Sequence, residues 1–101
     1  MKVVITERSL YRLESTLLFY LEDLEIPKGK VQELKNDLLL RAKNLSTNPY
    51  KGQYEPYLQK LNKGHRRLVA GNIKIIYRIE QEIIYVTDFF DSRKSPLSMR
   101  E

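Results

Sequence analysis

Residues 66–79 decide the fold, and they read RRLVAGNIKIIYRI. Apolar and polar side chains alternate on either side of Gly71-Asn72, which is the pattern of a β-hairpin with a two-residue primed turn. Residues that lie opposite each other in such a hairpin share a face of the sheet. One face is therefore predicted to carry Leu68, Ala70, Ile73, Ile75, Tyr77 and Ile79 as the core side. The other, called the basic face below, is predicted to carry His65, Arg67, Lys74 and Arg78, with Val69 and Ile76 between them.

Positive charge is concentrated in and around this hairpin. Residues 60–79 hold six lysines and arginines and the only histidine without a single carboxylate, whereas the net charge of the whole chain is +5. The six cations are Lys60, Lys63, Arg66, Arg67, Lys74 and Arg78. Because a purely structural surface normally intersperses acids among its cations, this concentration favours a polyanionic partner. The alternative is a solvated sheet face that only aids solubility.

The residues before the hairpin predict a strand and two helices. Residues 2–6 suit a short strand, Thr6 can cap a helix, and leucines then recur at helical spacing over residues 10–24. A second amphipathic helix is predicted from about Lys28, with Pro49 marking its end. Two consecutive helices with a short break between them indicate an antiparallel helical hairpin that packs on the sheet.

A further strand is predicted from about Ile83 to Phe90, after a turn at Gln81-Glu82. The fold class is therefore α+β, with a short N-terminal strand, a helical hairpin and three antiparallel strands in one sheet. In the simplest register the strand adds to the basic face Tyr85, Thr87, Phe89 and, farther along the chain, Arg93. Since one helical hairpin covers only one side of a sheet, the basic face is predicted to stay open.

Composition narrows the class of protein. A length of 101 residues fits one domain, residues 1–101. With no cysteine and one histidine, neither a disulfide nor a zinc site is expected, and no metal or cofactor is predicted. The N-terminal segment MKVVITERSL lacks the apolar run of a signal peptide, and no stretch is apolar enough to cross a bilayer. A soluble, cytoplasmic protein with no membrane partner is expected.

The basic face suits phosphate chemistry. Cationic side chains on a rigid surface can hold a phosphodiester and neutralise the charge that develops in its transition state. His65 is the side chain whose ordinary pKa suits proton transfer near neutral pH, although a lone histidine there also fits a hydrogen-bonding role. Tyr50, Tyr54 and Tyr57 occupy the connection before the hairpin, where tyrosines either stack on bases or cover the edge of a core.

The sequence resembles a known family in its C-terminal half. Residues 66–79, followed by a strand and by residues 88–96 (DFFDSRKSP), resemble toxins of the RelE/ParE superfamily from bacterial type II toxin–antitoxin modules. The predicted order of elements agrees with that family along essentially the whole chain. The resemblance implies a growth-arresting toxin that a cognate antitoxin holds inactive. RelE-like members cut mRNA on the ribosome, whereas ParE-like members inhibit DNA gyrase.

The resemblance also implies site residues. The catalytic positions of a RelE-like endoribonuclease fall on His65, Arg67, Lys74 and Arg93. Supporting nucleic-acid contacts are expected from Lys60, Lys63, Arg66, Arg78 and Lys94. RelE has a tyrosine beyond the arginine that matches Arg93, and this chain has Met99 there, so His65 is the expected substitute in proton transfer.

Three functions remain open at this point. The favoured one is metal-independent mRNA cleavage, in which the 2′-hydroxyl of the substrate attacks the adjacent phosphate. The second is inhibition of DNA gyrase, and the third is RNA binding by a non-catalytic or inactive member of the family. The tail, residues 92–101, is expected to be a mobile element that the antitoxin can contact or displace.

Overall fold

The computed structural model of this protein describes residues 1–99 and 101. Within these residues the chain forms five strands, two α-helices, a 3-10 helix in its middle and a short 3-10 turn near its end. In chain order the elements are β1 (Lys2–Ile5), α1 (Glu7–Glu22), α2 (Lys28–Asn44), β2 (Gln53–Tyr54), the 3-10 helix (Pro56–Leu61), β3 (Arg66–Ala70), β4 (Ile73–Glu80), β5 (Ile83–Asp91) and the 3-10 turn (Pro96–Ser98). The α+β class predicted from the sequence is confirmed.

The strands form one mixed sheet in the order β1-β5-β4-β3-β2. Strand β1 runs parallel to β5, and the other neighbours are antiparallel. The predicted hairpin register is confirmed, from Ala70 opposite Ile73 to Arg66 opposite Tyr77. Gly71 lies at the first turn position with φ of 61°, a conformation that glycine adopts without steric cost. The sheet is wider than the sequence suggested, because β1 and β2 extend it on both sides.

Both helices begin where the sequence indicates. The side chain of Thr6 accepts a hydrogen bond from the backbone N–H of Ser9 at 3.2 Å, which caps α1. The apolar stripe of α1 is buried at Leu13 and Leu17, and that of α2 at Val31 and Leu38. These side chains form one core cluster with the core side of the hairpin and β5. The helices therefore cover that side of the sheet.

A β-bulge in β5 changes which residues of that strand face the core. Tyr77 pairs with Val86 but Ile76 pairs with Asp88, so Thr87 is an extra residue without an opposite partner. One extra residue reverses the alternation of side chains beyond it. Phe89 therefore lies in the main core, and its predicted place on the basic face is wrong.

The basic face is partly covered, which corrects the prediction that all of it is open. Ile76 and Phe90 lie on this side of the sheet and are 0% and 2% exposed. Leu58 from the 3-10 helix and Met99 from the tail pack against them in a second, smaller cluster. The 3-10 helix and the tail thus cover the part of the face that apolar residues occupy.

The connection that carries β2 and the 3-10 helix is anchored to the sheet by Tyr77. Its buried hydroxyl donates a hydrogen bond to the carbonyl of Pro49 at 2.8 Å and accepts one from the N–H of Gly52 at 2.9 Å. The guanidinium of Arg66 adds a bond to the Gly52 carbonyl at 2.7 Å. These bonds fix the segment that enters the candidate site.

Candidate functional site

Two cations of the basic face converge on one buried carboxylate. Arg67 lies on β3 and Lys74 on β4, and both side chains point to the side of the sheet away from the helices. The Nζ atom of Lys74 is 3.0 Å from Oε1 of Glu55, and Nη1 of Arg67 is 3.8 Å from the same atom. The predicted convergence of Arg67 and Lys74 on one face is therefore seen in the structure. We call these three residues the cation cluster.

Glu55 has its position because it caps the 3-10 helix. Its Oε2 accepts a hydrogen bond from the N–H of Tyr57 at 3.0 Å, and its own N–H donates to the carbonyl of His65 at 2.9 Å. The side chain is 0% exposed. A buried carboxylate needs charged or hydrogen-bonding partners, and the two cations provide them. Sequence patterns did not reveal Glu55 as a site residue, and the only signal for it was a carboxylate directly before Pro56 at a helix start.

The cation cluster has an excess of one positive charge. The side chains of Lys74 and Arg67 are 20% and 23% exposed, so each still reaches solvent. Arg67 is oriented by a bond from Nη1 to the Tyr54 carbonyl at 3.1 Å. Lys74 has three N–H donors and gives one to Glu55. The remaining donors are available to an anion at the surface.

Tyrosine rings lie against the cations of the sheet. Lys74 Nζ is 5.8 Å from the ring centre of Tyr57, and the Arg78 guanidinium is 4.8 Å from that of Tyr85. Arg66 lies over Tyr54 at 4.2 Å, at the edge of the sheet. Alternation of cations and aromatic rings is typical of protein surfaces that bind single-stranded nucleic acids. The sequence alone left the roles of the loop tyrosines open.

His65 is buried rather than presented at the surface. It is 3% exposed, and among residues 1–99 and 101 neither ring nitrogen has a hydrogen-bond partner. Burial lowers its pKa below 6.5, and the positive charges of Arg78 and Lys63 add to this effect while Glu101 opposes it. The imidazole is therefore neutral at pH 7 and shielded from a ligand, so its suggested catalytic role stays a prediction that this geometry does not favour.

Arg93 does not join the cation cluster. Its guanidinium donates to Asp91 at 2.7 Å and 3.0 Å and to the Tyr20 hydroxyl at 3.1 Å, which places it beside α1. The predicted convergence with Arg67 is wrong because the bulge at Thr87 turns Asp91 to the helix side of the sheet, and Arg93 is paired with Asp91 there. The bonds from Arg93 lower the pKa of Asp91 to about 2, and burial raises the pKa of Tyr20 to about 12.

The remaining predicted cations are dispersed. Lys60 is exposed on the 3-10 helix, and Lys63 forms an ion pair with Glu101 at 2.9 Å. Arg78 is on the basic face but is paired with Glu80 at 2.6 Å. Lys94 lines a pocket on the side of α1, and Arg66 is turned to the Gly52 carbonyl. None of these side chains joins the cation cluster, and Arg66 and Lys94 do not lie on the basic face.

The tail lies against the domain. Met99 is 6% exposed in the second cluster, and Arg12 Nη2 donates to the Ser98 carbonyl at 3.2 Å. Residue 100 of the predicted mobile tail lies outside the described residues. The mobility of the tail stays a prediction.

Comparison with known proteins gives no assignment, since the chain matches no protein-family model and no curated protein. Within residues 1–99 and 101, no helix is long and apolar enough to span a membrane. No group of three or more histidine, aspartate or glutamate side chains in this part of the chain is arranged to hold a metal ion.

Proposed function

We propose that this protein is the growth-arresting toxin of a type II toxin–antitoxin module and that it cuts mRNA on the ribosome. The observation that carries the proposal is the convergence of Arg67 and Lys74 on buried Glu55. It is supported by the resemblance of residues 66–96 to RelE/ParE toxins. It requires that the cation cluster binds the phosphodiester that is cut.

The charge of the cluster fits one phosphodiester. Arg67 and Lys74 carry two positive charges and Glu55 carries one negative charge. A single phosphate bound on the solvent side of the two cations would neutralise the remaining positive charge. Both cations are held by hydrogen bonds to neighbouring groups, Arg67 to Tyr54 and Lys74 to Glu55. Donors that are already oriented stabilise developing charge with little reorganisation.

In the proposed reaction the 2′-hydroxyl oxygen of the RNA forms a bond to the adjacent phosphorus and loses its proton. The bond from phosphorus to the 5′-oxygen of the next nucleotide breaks, and that oxygen gains a proton. The products are a 2′,3′-cyclic phosphate and a 5′-hydroxyl. Arg67 and Lys74 would stabilise the extra negative charge on the phosphorus oxygens, and the proposal rests on these two cations rather than on His65 or Arg93.

The test is the double variant Arg67→Ala/Lys74→Ala, expressed from an inducible promoter. Loss of even one such charge-stabilising donor typically reduces turnover by about 100-fold or more, so growth arrest should disappear. The matched control is Arg41→Ala/Lys43→Ala on α2, which removes the same charge away from the sheet. Circular dichroism checks the fold of both, and mapping of mRNA 5′ ends after induction reports cleavage.

The proposal fails if the cluster variant still arrests growth and produces the same mRNA ends as the unmodified protein. It also fails if the unmodified protein produces no new mRNA ends. In that case inhibition of DNA gyrase becomes the better candidate. One observation favours this second function. Arg93 is bonded to Asp91 and Tyr20, so one of the catalytic positions expected for a RelE-like endoribonuclease is absent from the cation cluster. A supercoiling assay with purified gyrase separates the two.

The proposal implies a cognate antitoxin as partner. An acidic segment of such a protein would be attracted to the same cations and would compete with RNA for them. Coexpression of the neighbouring reading frame should therefore abolish growth arrest.

A further inference from the structure

A second surface feature adjoins the cation cluster. The 3-10 helix and the tail border a groove of about 320 Å³ that Tyr57 lines. Tyr57 and Lys60 contribute from the 3-10 helix, Leu97 and Met99 from the tail, and Arg8 from α1. We call this the flanking groove. Lys60 was predicted as a supporting nucleic-acid contact, but the groove itself was not predicted.

The groove combines two exposed cations with an aromatic ring. Arg8 and Lys60 are exposed, and neither forms an ion pair with any residue in the described part of the chain. Tyr57 is 52% exposed and Leu97 is 85% exposed, so apolar surface lies beside the cations. The carboxylate of Glu101 also lines the groove, but Lys63 binds it at 2.9 Å. The net charge of the groove is therefore positive.

Tyr57 connects the groove to the cation cluster. Its ring centre is 5.8 Å from Lys74 Nζ, and its N–H is bonded to Glu55. An RNA strand with one phosphate at Lys74 would therefore have an exposed aromatic ring beside it, and Arg8 and Lys60 in the groove that this ring also lines. Phosphate, base and phosphate recur in this order along single-stranded RNA, and an aromatic ring accepts any base by stacking.

From this arrangement we infer that the flanking groove binds the nucleotide next to the one held by the cation cluster. The base of that nucleotide stacks on Tyr57, and its outer phosphate contacts Arg8 and Lys60. The inference rests on the proposed function, because it assumes RNA at Arg67 and Lys74. It assigns the groove to single-stranded RNA rather than to an acidic peptide. RNA bases stack on an exposed aromatic ring, whereas the carboxylates of an acidic peptide would contact only the cations.

The experiment measures binding of fluorescein-labelled hexauridylate by fluorescence anisotropy at several salt concentrations. Tyr57→Ala should weaken binding by about 10-fold, within the range known for loss of one stacked base, whereas Tyr57→Phe should bind as the unmodified protein does. Arg8→Ala/Lys60→Ala should lower the slope of log affinity against log salt by about 0.7, since these two cations contact one phosphate and each phosphate contact to a single strand contributes about 0.7.

Two controls separate the groove from general effects. Tyr50→Ala removes a tyrosine of similar exposure that lies over Arg66 outside the groove, and Lys28→Ala/Lys30→Ala removes the same charge from α2. Both should leave the affinity and the salt slope unchanged. Circular dichroism tests directly whether each variant keeps the fold of the unmodified protein.

The possible outcomes are distinct. If Arg67→Ala/Lys74→Ala abolishes binding while the groove variants bind normally, the inference is overturned and the proposed function survives. If the unmodified protein does not bind hexauridylate, the inference is overturned, whereas the proposed function is decided separately by the mapping of mRNA ends after induction. Hexaglutamate is the competing probe, and a loss of its binding in Tyr57→Ala without loss of RNA binding would assign the groove to acidic peptides instead.

Discussion

The replacement Asp91→Asn tests the network that holds Arg93 away from the cation cluster. Asp91 is 4% exposed and accepts four hydrogen bonds, three from Arg93 at 2.7–3.0 Å and one from the Tyr20 hydroxyl at 2.6 Å. The replacement preserves size but removes the charge. It also replaces one carboxylate oxygen by an amide N–H₂ group. That group cannot accept the hydrogen bonds that Arg93 and Tyr20 donate, so some of these bonds are lost.

The magnitude can be worked out from the pKa of Asp91. Its value falls from 3.8 to about 2, mainly because Arg93 donates hydrogen bonds to the carboxylate. A difference of about 1.8 in pKa corresponds to about 2.4 kcal/mol at about 1.36 kcal/mol for each pKa unit. Arg93 is 52% exposed, and solvent screening reduces the expected effect to about 1.5 kcal/mol. Because the folded pKa is lower than the unfolded one, this stability is present above pH 4 and is lost as the pH falls toward 2.

Urea unfolding followed by far-UV circular dichroism at pH 7, 4 and 2 provides the assay. The free energy of unfolding of Asp91→Asn should be about 1.5 kcal/mol below that of the unmodified protein at pH 7, and the difference should shrink toward pH 2. Asp37→Asn is the control, because it breaks an exposed helical ion pair with Arg41 that contributes at most about 0.5 kcal/mol. A difference that is the same at all three pH values would refute the reasoning.

Two further replacements test the segment that carries the site. Glu55→Gln leaves two partly buried cations without their carboxylate and should lower the free energy of unfolding by about 2 kcal/mol in urea titrations; unchanged stability would mean that the carboxylate does not hold the cluster together. Gly52→Ala should lower it by about 3 kcal/mol, because a Cβ atom there would lie 2.5 Å from the Arg67 carbonyl oxygen and 2.7 Å from the Tyr77 hydroxyl. Gly29→Ala is its control, since no atom lies within 4 Å of that Cβ and alanine favours the helix; equal melting temperatures of the two variants would contradict the packing described for Gly52.

Local patterns were sufficient for the hairpin and the helices. Alternation around Gly71-Asn72 predicted the register of β3 and β4, and helical spacing of leucines predicted the buried stripe of α1. The same alternation placed Arg67 and Lys74 on one face. These properties depend on residues within a few positions of one another, so they can be predicted from the periodicity of the sequence.

Contacts between distant segments determined the rest of the site. Nothing near Glu55 in the sequence indicates that it will meet Lys74, because that contact requires the 3-10 helix to pack across the sheet through Leu58. His65 is also buried in the folded chain, whereas the alternation of side chains along its strand had placed it at the surface. The predicted residues therefore included two members of the cation cluster and missed the third.

The amino-acid sequence by itself determined the α+β class, the hairpin register and the concentration of positive charge, because turn chemistry and side-chain periodicity act over short distances. Only the tertiary structure decided the bulge at Thr87, and with it the position of Arg93. An extra residue in a strand has no strong local signature. It is favourable here because it lets Asp88 meet Arg12 at 2.6 Å and Asp91 meet Tyr20, and both partners lie on α1, far away in the sequence.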